Sequence, residues 1–484
     1  MKPLARAGRN LAFKTLGEAL ARVFFLLLFI YAARVLGALD FGRYSFASAL
    51  GALALVGMDL GLNTLFVRQG ARHPGQVGSY AGTLLLLKAL LALLVLGLIY
   101  GFCRLSAIDP RDLALVLVVA LAQMCWGMVE FAVSGLNALE RMDQEAWVRG
   151  CGRLAALVLA GGFLLAGWGL WGLVSGLLAA NALALGLGLA FLRSHGPFSL
   201  CLDRRFLGGL FRRALPLALV NVFMLVYFRV DMVMLEIMGR SYQEIGWYGA
   251  AVRVMDGVGV IPMLVSRSLL PVLSDLAGRD QPALARLYAQ GRRLLVIIAL
   301  PAALGLWAVR RELVLFIYGP EFAPTARAFF WLAPALVFLF LSFLQLNTLI
   351  AAGRQHQAAW ATGASALLNL GLNLALIPAY GFAGAAAATL LTHLVLCSLC
   401  AWFIRRLGIG HPGRDELPPL LAAAVMGLGL YFTRGLPLPI IIASAVAIYG
   451  LALLALGGLT PAELARMWSM LRRPAGGDEG AEDR

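Results

Sequence analysis

An apolar stretch long enough to cross a bilayer recurs along nearly the whole chain, and that recurrence leaves few folds open. About 30 Å of hydrocarbon takes roughly 17 to 25 residues of helix. Windows of that length fall at about 11–33, 45–67, 79–102, 113–136, 150–168, 171–192, 214–238, 246–270, 292–309, 329–352, 357–378, 382–404, 416–433 and 437–458. In lipid the backbone must satisfy its own hydrogen bonds within each segment, so each window is read as a helix. The sequence therefore predicts an all-α integral membrane protein with about fourteen transmembrane helices. Hydrophobic residues make up 61% and charged residues 13% of the chain, against roughly 45–50% and 25% in soluble domains.

The first window is read as a retained span, because Lys14, Glu18 and Arg22 sit inside it and no small-residue cleavage site follows. The six cysteines suggest no pattern of extracellular pairs. Cys397 and Cys400 form a C-x-x-C one turn apart in an apolar helix, which reads as packing. A formal charge of +15 would suggest nucleic acid in a soluble protein. Here most Lys and Arg fall on one side of the predicted topology. The other side receives Arg34, Arg43, Arg104, Arg111, Arg240, Arg310, Arg311, Arg327 and Arg434. That bias follows the positive-inside rule, places both termini in the cytoplasm and implies no nucleic-acid partner.

Short motifs repeat some 200 residues apart in the same order. Phe41, Gly42, Arg43, Tyr44 matches Ile245, Gly246, Trp247, Tyr248; Leu136, Asn137 matches Leu346, Asn347; Ala146, Trp147 matches Ala359, Trp360; and Gly169 to Gly172 matches Gly381 to Gly384, at offsets of 204, 210, 213 and 212. Both copies of the first motif open the second span of a half, so the halves run parallel about an axis along the membrane normal. Duplicated bundles with a path between them are the anatomy of a secondary transporter. The expected organisation is a six-helix bundle over 1–200, a second over 201–408, two added helices over 409–460 and a polar cytoplasmic tail over 461–484. No link is long enough to fold as a soluble domain.

Charges inside apolar spans are the candidate functional residues, since each costs roughly 2.5–3.5 kcal/mol at a helix centre facing lipid. The cations Arg22, Lys88, Arg229, Arg253 and Arg267 are read as lining a polar lumen, with Glu18, Asp59, Glu130, Asp231, Asp256 and His393 as coupling or ion-pair groups. Structural ion pairing remains the alternative for each. Lys14, Glu18 and Arg22 form one stripe at spacing four. Arg253, Asp256 and Arg267 fall near one face of the eighth span, whereas Arg229 and Asp231, two apart, point in different directions. A guanidinium fork suits phosphate oxygens, although the chain has only three lysines and its arginine preference is partly compositional. Asn221, Asn347, Asn369 and Asn373 offer hydrogen bonds to sugar hydroxyls or between helices. His393 titrates near neutral pH when unperturbed and is a candidate proton carrier. No phosphate-binding loop, metal-ligand spacing or nucleophile–base motif is present, so no cofactor, metal or enzymatic step is expected.

Ala33, Arg34, Val35, Leu36, Gly37, then Phe41 to Tyr44, then Asp59, Leu60, Gly61, Leu62 leading to Arg68, carry a resemblance to the Wzx-type polysaccharide and oligosaccharide flippases. These belong to the multidrug, oligosaccharidyl-lipid and polysaccharide (MOP) exporter superfamily, and twelve repeated spans plus two fit it. The resemblance implies two bundles that alternate access and move an undecaprenyl-pyrophosphate-linked oligosaccharide across the bacterial cytoplasmic membrane through a cationic cavity. It also implies neighbouring glycan-assembly enzymes as partners; a monomer is expected. The peptidoglycan-precursor flippases share the span count, but their arginine-rich first-span pattern is not seen here. A drug/ion antiporter would have a more acidic cavity, and a membrane glycosyltransferase or polymerase a large extracytoplasmic catalytic loop.

Overall fold

The computed structural model describes residues 2–106, 108–200, 222–223, 227–409, 416–433 and 435–458, with side chains from Phe24 onward. The expectations for Glu18 and Arg22, for Asn221, for Arg434 and for the tail over 461–484 lie outside these described residues.

The helix Lys2–Asp59 breaks at Gly37 (φ 73°) and so contains two spans. The second of them continues past Gly61 into Leu62–Arg72. The third to sixth spans are Val77–Leu105, Pro110–Ala138, Met142–Leu165 and Gly169–Ser194. The seventh is described over 227–237. The eighth is Tyr242–Val258 joined at Gly259 to Val260–Ala277. Gln281–Ala308, Thr325–Ala351, Gln355–Tyr380, Phe382–Arg406, Leu417–Phe432 and Leu438–Ala455 complete the set, with a short helix, Arg310–Ile317, before the tenth span. The count of fourteen read from the windows is the count among the described residues.

Helix starts follow local chemistry. Asp109 caps the fourth span by accepting from the Arg111 amide at 2.8 Å, with Pro110 in the first turn where its missing N–H costs nothing. Asp280 does the same for the ninth, accepting from the Ala283 amide at 2.9 Å. Once formed, the helices pack in two groups. The fourth span contacts the first helix, the third and the sixth, while the tenth contacts the eighth, ninth and twelfth. The thirteenth packs on the ninth, and the fourteenth on the thirteenth. Leu93, Leu98, Leu183 and Leu374 point outward, as a lipid-facing surface requires.

The repeated motifs occupy matching places. Gly169 and Gly381 both adopt positive φ, 56° and 59°. Trp147 and Trp360 are both exposed, at 66% and 70%. Gly42 and Gly246 meet each other where the second span crosses the eighth. A Cβ on Gly42 would lie 1.7 Å from the Tyr242 carbonyl oxygen, and one on Gly246 would lie 2.0 Å from that of Ala38. Only glycine allows this approach.

Around this crossing the halves are closed on the face opposite the N-terminus. The Arg34 guanidinium donates to the carbonyls of Phe316 and Ile317. Glu321 accepts from the Ala38 amide at 2.8 Å, and its carbonyl accepts from the Trp247 indole at 3.0 Å.

Candidate functional site

Below that closed face, two chambers lie between the halves. The larger, about 610 Å³, is walled by the first, second, seventh, eighth, tenth and twelfth spans. The smaller, about 280 Å³, is walled by the first, second, fourth, fifth and sixth, and by Arg229 and Arg253 from the second half. Phe25, Arg229 and Arg253 line both. Along the eighth span the larger chamber is lined from Tyr248 to Met263, fifteen residues, about 22 Å at 1.5 Å per residue. The cavity therefore runs from below the closed face toward the N-terminal face.

The seventh and eighth spans supply most of the charge. Arg229 donates to Asp256 at 2.8 Å, while Asp231 accepts from the Tyr248 hydroxyl and from the Met232 amide. The two residues, two apart in sequence, thus take different partners, as their helical spacing requires. The Tyr248 hydroxyl also lies 3.2 Å from Thr389 Oγ1. His393 is buried and shares a hydrogen bond with the Tyr227 hydroxyl through Nδ1. Arg253 has no carboxylate within salt-bridge distance among the described residues; its guanidinium sits 4.3 Å over the Phe29 ring and 6.0 Å from that of Tyr44. A cation held by ring faces keeps its donors for something else. Across the smaller chamber, Arg153 packs 5.3 Å from Phe25 and 5.2 Å from Trp126.

The family described as "Polysaccharide biosynthesis protein" matches residues 7–277, and the family described as "Lipid II flippase MurJ" matches residues 156–448. Each covers more than half of the chain, and they overlap on the cavity-forming seventh and eighth spans. The chain is a flippase of the MOP superfamily. It is similar to the probable low-salt glycan biosynthesis flippase Agl15 of Haloferax volcanii, 25% identical over 388 residues, covering 77% of this chain and 78% of that protein. Its fold is similar to that of the lipid II flippase MurJ in an inward closed conformation, with a TM-score of 0.73, 15% identity, and 95% and 99% of the two chains covered. It is also similar in fold to an inward-facing multidrug-resistance transporter of the MATE family, of the MOP superfamily, with a TM-score of 0.63, 14% identity, and 80% and 98% of the two chains covered. These likenesses to solved structures show the fold.

Within this MOP flippase, the residues singled out from the sequence separate into two groups. Arg229, Asp231, Arg253, Asp256 and His393 come together in the cavity. Lys88, Asp59 and Glu130 do not. Lys88 is fully buried inside the first half and donates to Asp59 at 2.6 Å. Glu130 accepts two hydrogen bonds from Arg149, at 2.5 and 2.8 Å, and Arg149 also reaches Glu145 at 3.0 Å. Arg267 is exposed and lines neither chamber. The break at Gly259 interrupts the helical phase on which its shared face with Arg253 had been counted. Asn369 and Asn373 are internal, Asn369 donating to Thr392 at 3.3 Å and Asn373 to Asn369 at 2.9 Å. Asn347 donates to the Phe343 carbonyl of its own helix.

Several lining residues were not singled out from the sequence. Gln123, which donates to the Ser48 hydroxyl and carbonyl at 3.1 Å, and Asn181, which donates to the Ala122 carbonyl at 2.8 Å, are polar groups in mid-span and carried a usable signal. Arg153 lies at the edge of its window, close to Arg141 and Arg149, and looked like one more loop arginine.

The Lys88–Asp59 pair makes a stability prediction. Removing one partner of a buried pair leaves an uncompensated charge, at a cost of about 3–5 kcal/mol. Lys88→Met is expected to lower the melting temperature of the purified chain sharply, and Lys88→Met with Asp59→Asn to recover most of the loss. Wild-type melting of Lys88→Met would show that the pair does not matter to the fold, and equal loss in the single and double variants that the stranded Asp59 charge is not the cause.

Proposed function

We propose that this flippase carries an undecaprenyl-pyrophosphate-linked oligosaccharide from the cytoplasmic to the outer leaflet of the bacterial cytoplasmic membrane, for cell-surface polysaccharide assembly. The observation that carries the reading is the pair Arg229 and Arg253, which face both chambers at the junction of the halves. A diphosphate entering there meets guanidinium donors in a site shielded from bulk water, where charge-assisted hydrogen bonds are strong. Gln123, Ser48 and Asn181 supply polar groups for the sugar, while the lipid tail stays in the bilayer.

Transport then follows from the halves moving against each other. Both termini are assigned to the cytoplasm by the positive-inside bias, so the closed face is the outer one. Rocking of 1–200 against 201–408, with 409–460 alongside, closes the cytoplasmic end and parts the Gly42–Gly246 crossing. The driving force is an ion gradient or the substrate's own imbalance; one charge crossing 100 mV supplies about 2.3 kcal/mol. No chemical step on the substrate is proposed.

The glycan flippase of Haloferax volcanii and the match to the polysaccharide biosynthesis family support an oligosaccharide cargo. A second reading, a lipid-linked peptidoglycan precursor, is favoured by the match over 156–448. Both cargoes present a lipid diphosphate, so the arginines serve either. Proteoliposomes containing the purified chain and one fluorescent substrate at a time separate them. Flipping of the undecaprenyl-pyrophosphate oligosaccharide is expected to exceed that of lipid II at least tenfold. Flipping of lipid II alone would reverse the assignment, and glycosyl transfer by the pure chain would overturn the transporter reading itself.

A further inference from the structure

A third cavity, about 1010 Å³, lies on the closed face, away from the central path. It is bounded by the end of the ninth span, the short helix Arg310–Ile317, the starts of the tenth and twelfth spans, and the thirteenth and fourteenth spans. The tenth span separates it from the central cavity: Leu332, Leu339 and Phe343 face the larger chamber, while Ala326, Phe330 and Trp331 face this one.

Its chemistry is divided along the membrane normal. At the rim stand Arg310, Arg311 and Arg327 against one acid, Glu312. Among the described residues none of the three arginines has a carboxylate within 4.0 Å. Arg310 is held in place: it donates to the Trp307 carbonyl at 2.5 Å and lies 4.9 Å from the Trp307 ring and 5.6 Å from that of Phe330. Trp307, Phe330, Trp331 and Tyr431 lie at or near the ends of their helices, where aromatic side chains of membrane spans mark the headgroup region. Below them Leu304, Leu428 and Ile441 give an apolar wall, and Leu428 is 67% exposed, so the groove opens sideways to hydrocarbon.

We propose that this cavity binds an anionic phospholipid, with its phosphate among Arg310, Arg311 and Arg327 and an acyl chain along the thirteenth span. A soluble anion would use the arginines but have no use for the apolar wall, and a neutral lipid would leave the cationic rim uncompensated. The volume is at the upper end of the roughly 300–1,000 Å³ usual for small-molecule sites, enough for a headgroup and part of a chain. The bound lipid bridges the added pair of helices to the tenth span. It acts apart from the substrate, whose route lies on the other side of that span.

Native mass spectrometry of the full-length chain, titrated separately with phosphatidylglycerol, phosphatidylcholine and inorganic phosphate, tests this. The wild type is expected to retain one phosphatidylglycerol at least tenfold more tightly than Arg311→Gln with Arg327→Gln, and to show no such difference for phosphatidylcholine. Both substituted arginines are exposed, so the double variant should fold, and its melting temperature without lipid checks this. Equal phosphatidylglycerol retention by wild type and variant would overturn the proposal. So would displacement of the lipid by millimolar inorganic phosphate, which would assign the rim to a soluble anion, or by a lipid-linked diphosphate sugar, which would make it part of the transport route.

Discussion

Arg253→Ala is expected to lower flipping at least tenfold while leaving the chain folded. A hydrogen bond to a charged group contributes about 1.5–3 kcal/mol, and each 1.36 kcal/mol is tenfold in rate or binding, so the loss should fall between about tenfold and 150-fold. The structural cost is small because Arg253 gives up only its contacts with Phe29 and Tyr44, roughly 0.5–1 kcal/mol for a cation over a ring at a wet site. Arg229→Ala is a less direct test, since it also strands Asp256 without its partner at 2.8 Å. Arg253→Lys should be intermediate: it keeps the charge and loses the planar fork and the stacking. Arg267→Ala should flip at the wild-type rate, because that side chain lines neither chamber. Flipping and substrate retention measured on the same proteoliposomes decide it; wild-type values for Arg253→Ala would remove the diphosphate from this site.

The contrast between Arg253 and Lys88 indicates which part of the site was legible in the sequence. Both are cations in apolar windows, and the insertion cost that singled them out applies equally to each. What distinguishes them is the neighbouring helix. Lys88 meets Asp59 inside one half, whereas Arg253 meets aromatic rings at the junction of two halves. Helical spacing relates residues of one helix and carries no information about the helix packed against it. It succeeded for Arg229 and Asp231, where the inference concerned directions within a helix, and it failed for Arg267, where Gly259 breaks the helix between the residues compared.

Span number and order were legible for a different reason. In the bilayer, length and apolarity nearly suffice to define a helix, because unpaired backbone has no water to turn to. Helix ends were less so: the first window was read as closing at 33, yet the helix runs on to Gly37, where the chain turns back into the second span. The added cavity by the thirteenth span could not be anticipated. Arg310, Arg311 and Arg327 were counted as loop charges, and only folding brings them beside Tyr431.

Gly246→Leu is expected to abolish transport by keeping the closed face from closing. Gly42 and Gly246 first appeared as the matching glycines of two short motifs, and the structure sets them against each other. At Gly246 a Cβ would lie 2.0 Å from the Ala38 carbonyl oxygen, while ordinary contact begins near 3.4 Å, so the helices must part by at least 1.4 Å for alanine and further for leucine. Backbone lies on both sides of this crossing, so no flexible side chain can yield. Separation there also pulls the Ala38 amide from the Glu321 side chain, a bond of 2.8 Å between the halves. The closed conformation is destabilised and the open one, in which the spans are already apart, is not. A ligand-binding step that needs the closed face is then reduced in proportion to the population that remains. Spin labels at Leu39 and Phe316, on opposite halves of that face, should report a longer mean distance in Gly246→Leu than in wild type, with flipping reduced more than tenfold. An unchanged distance together with an unchanged rate would mean that the second and eighth spans do not part and meet at this crossing during transport.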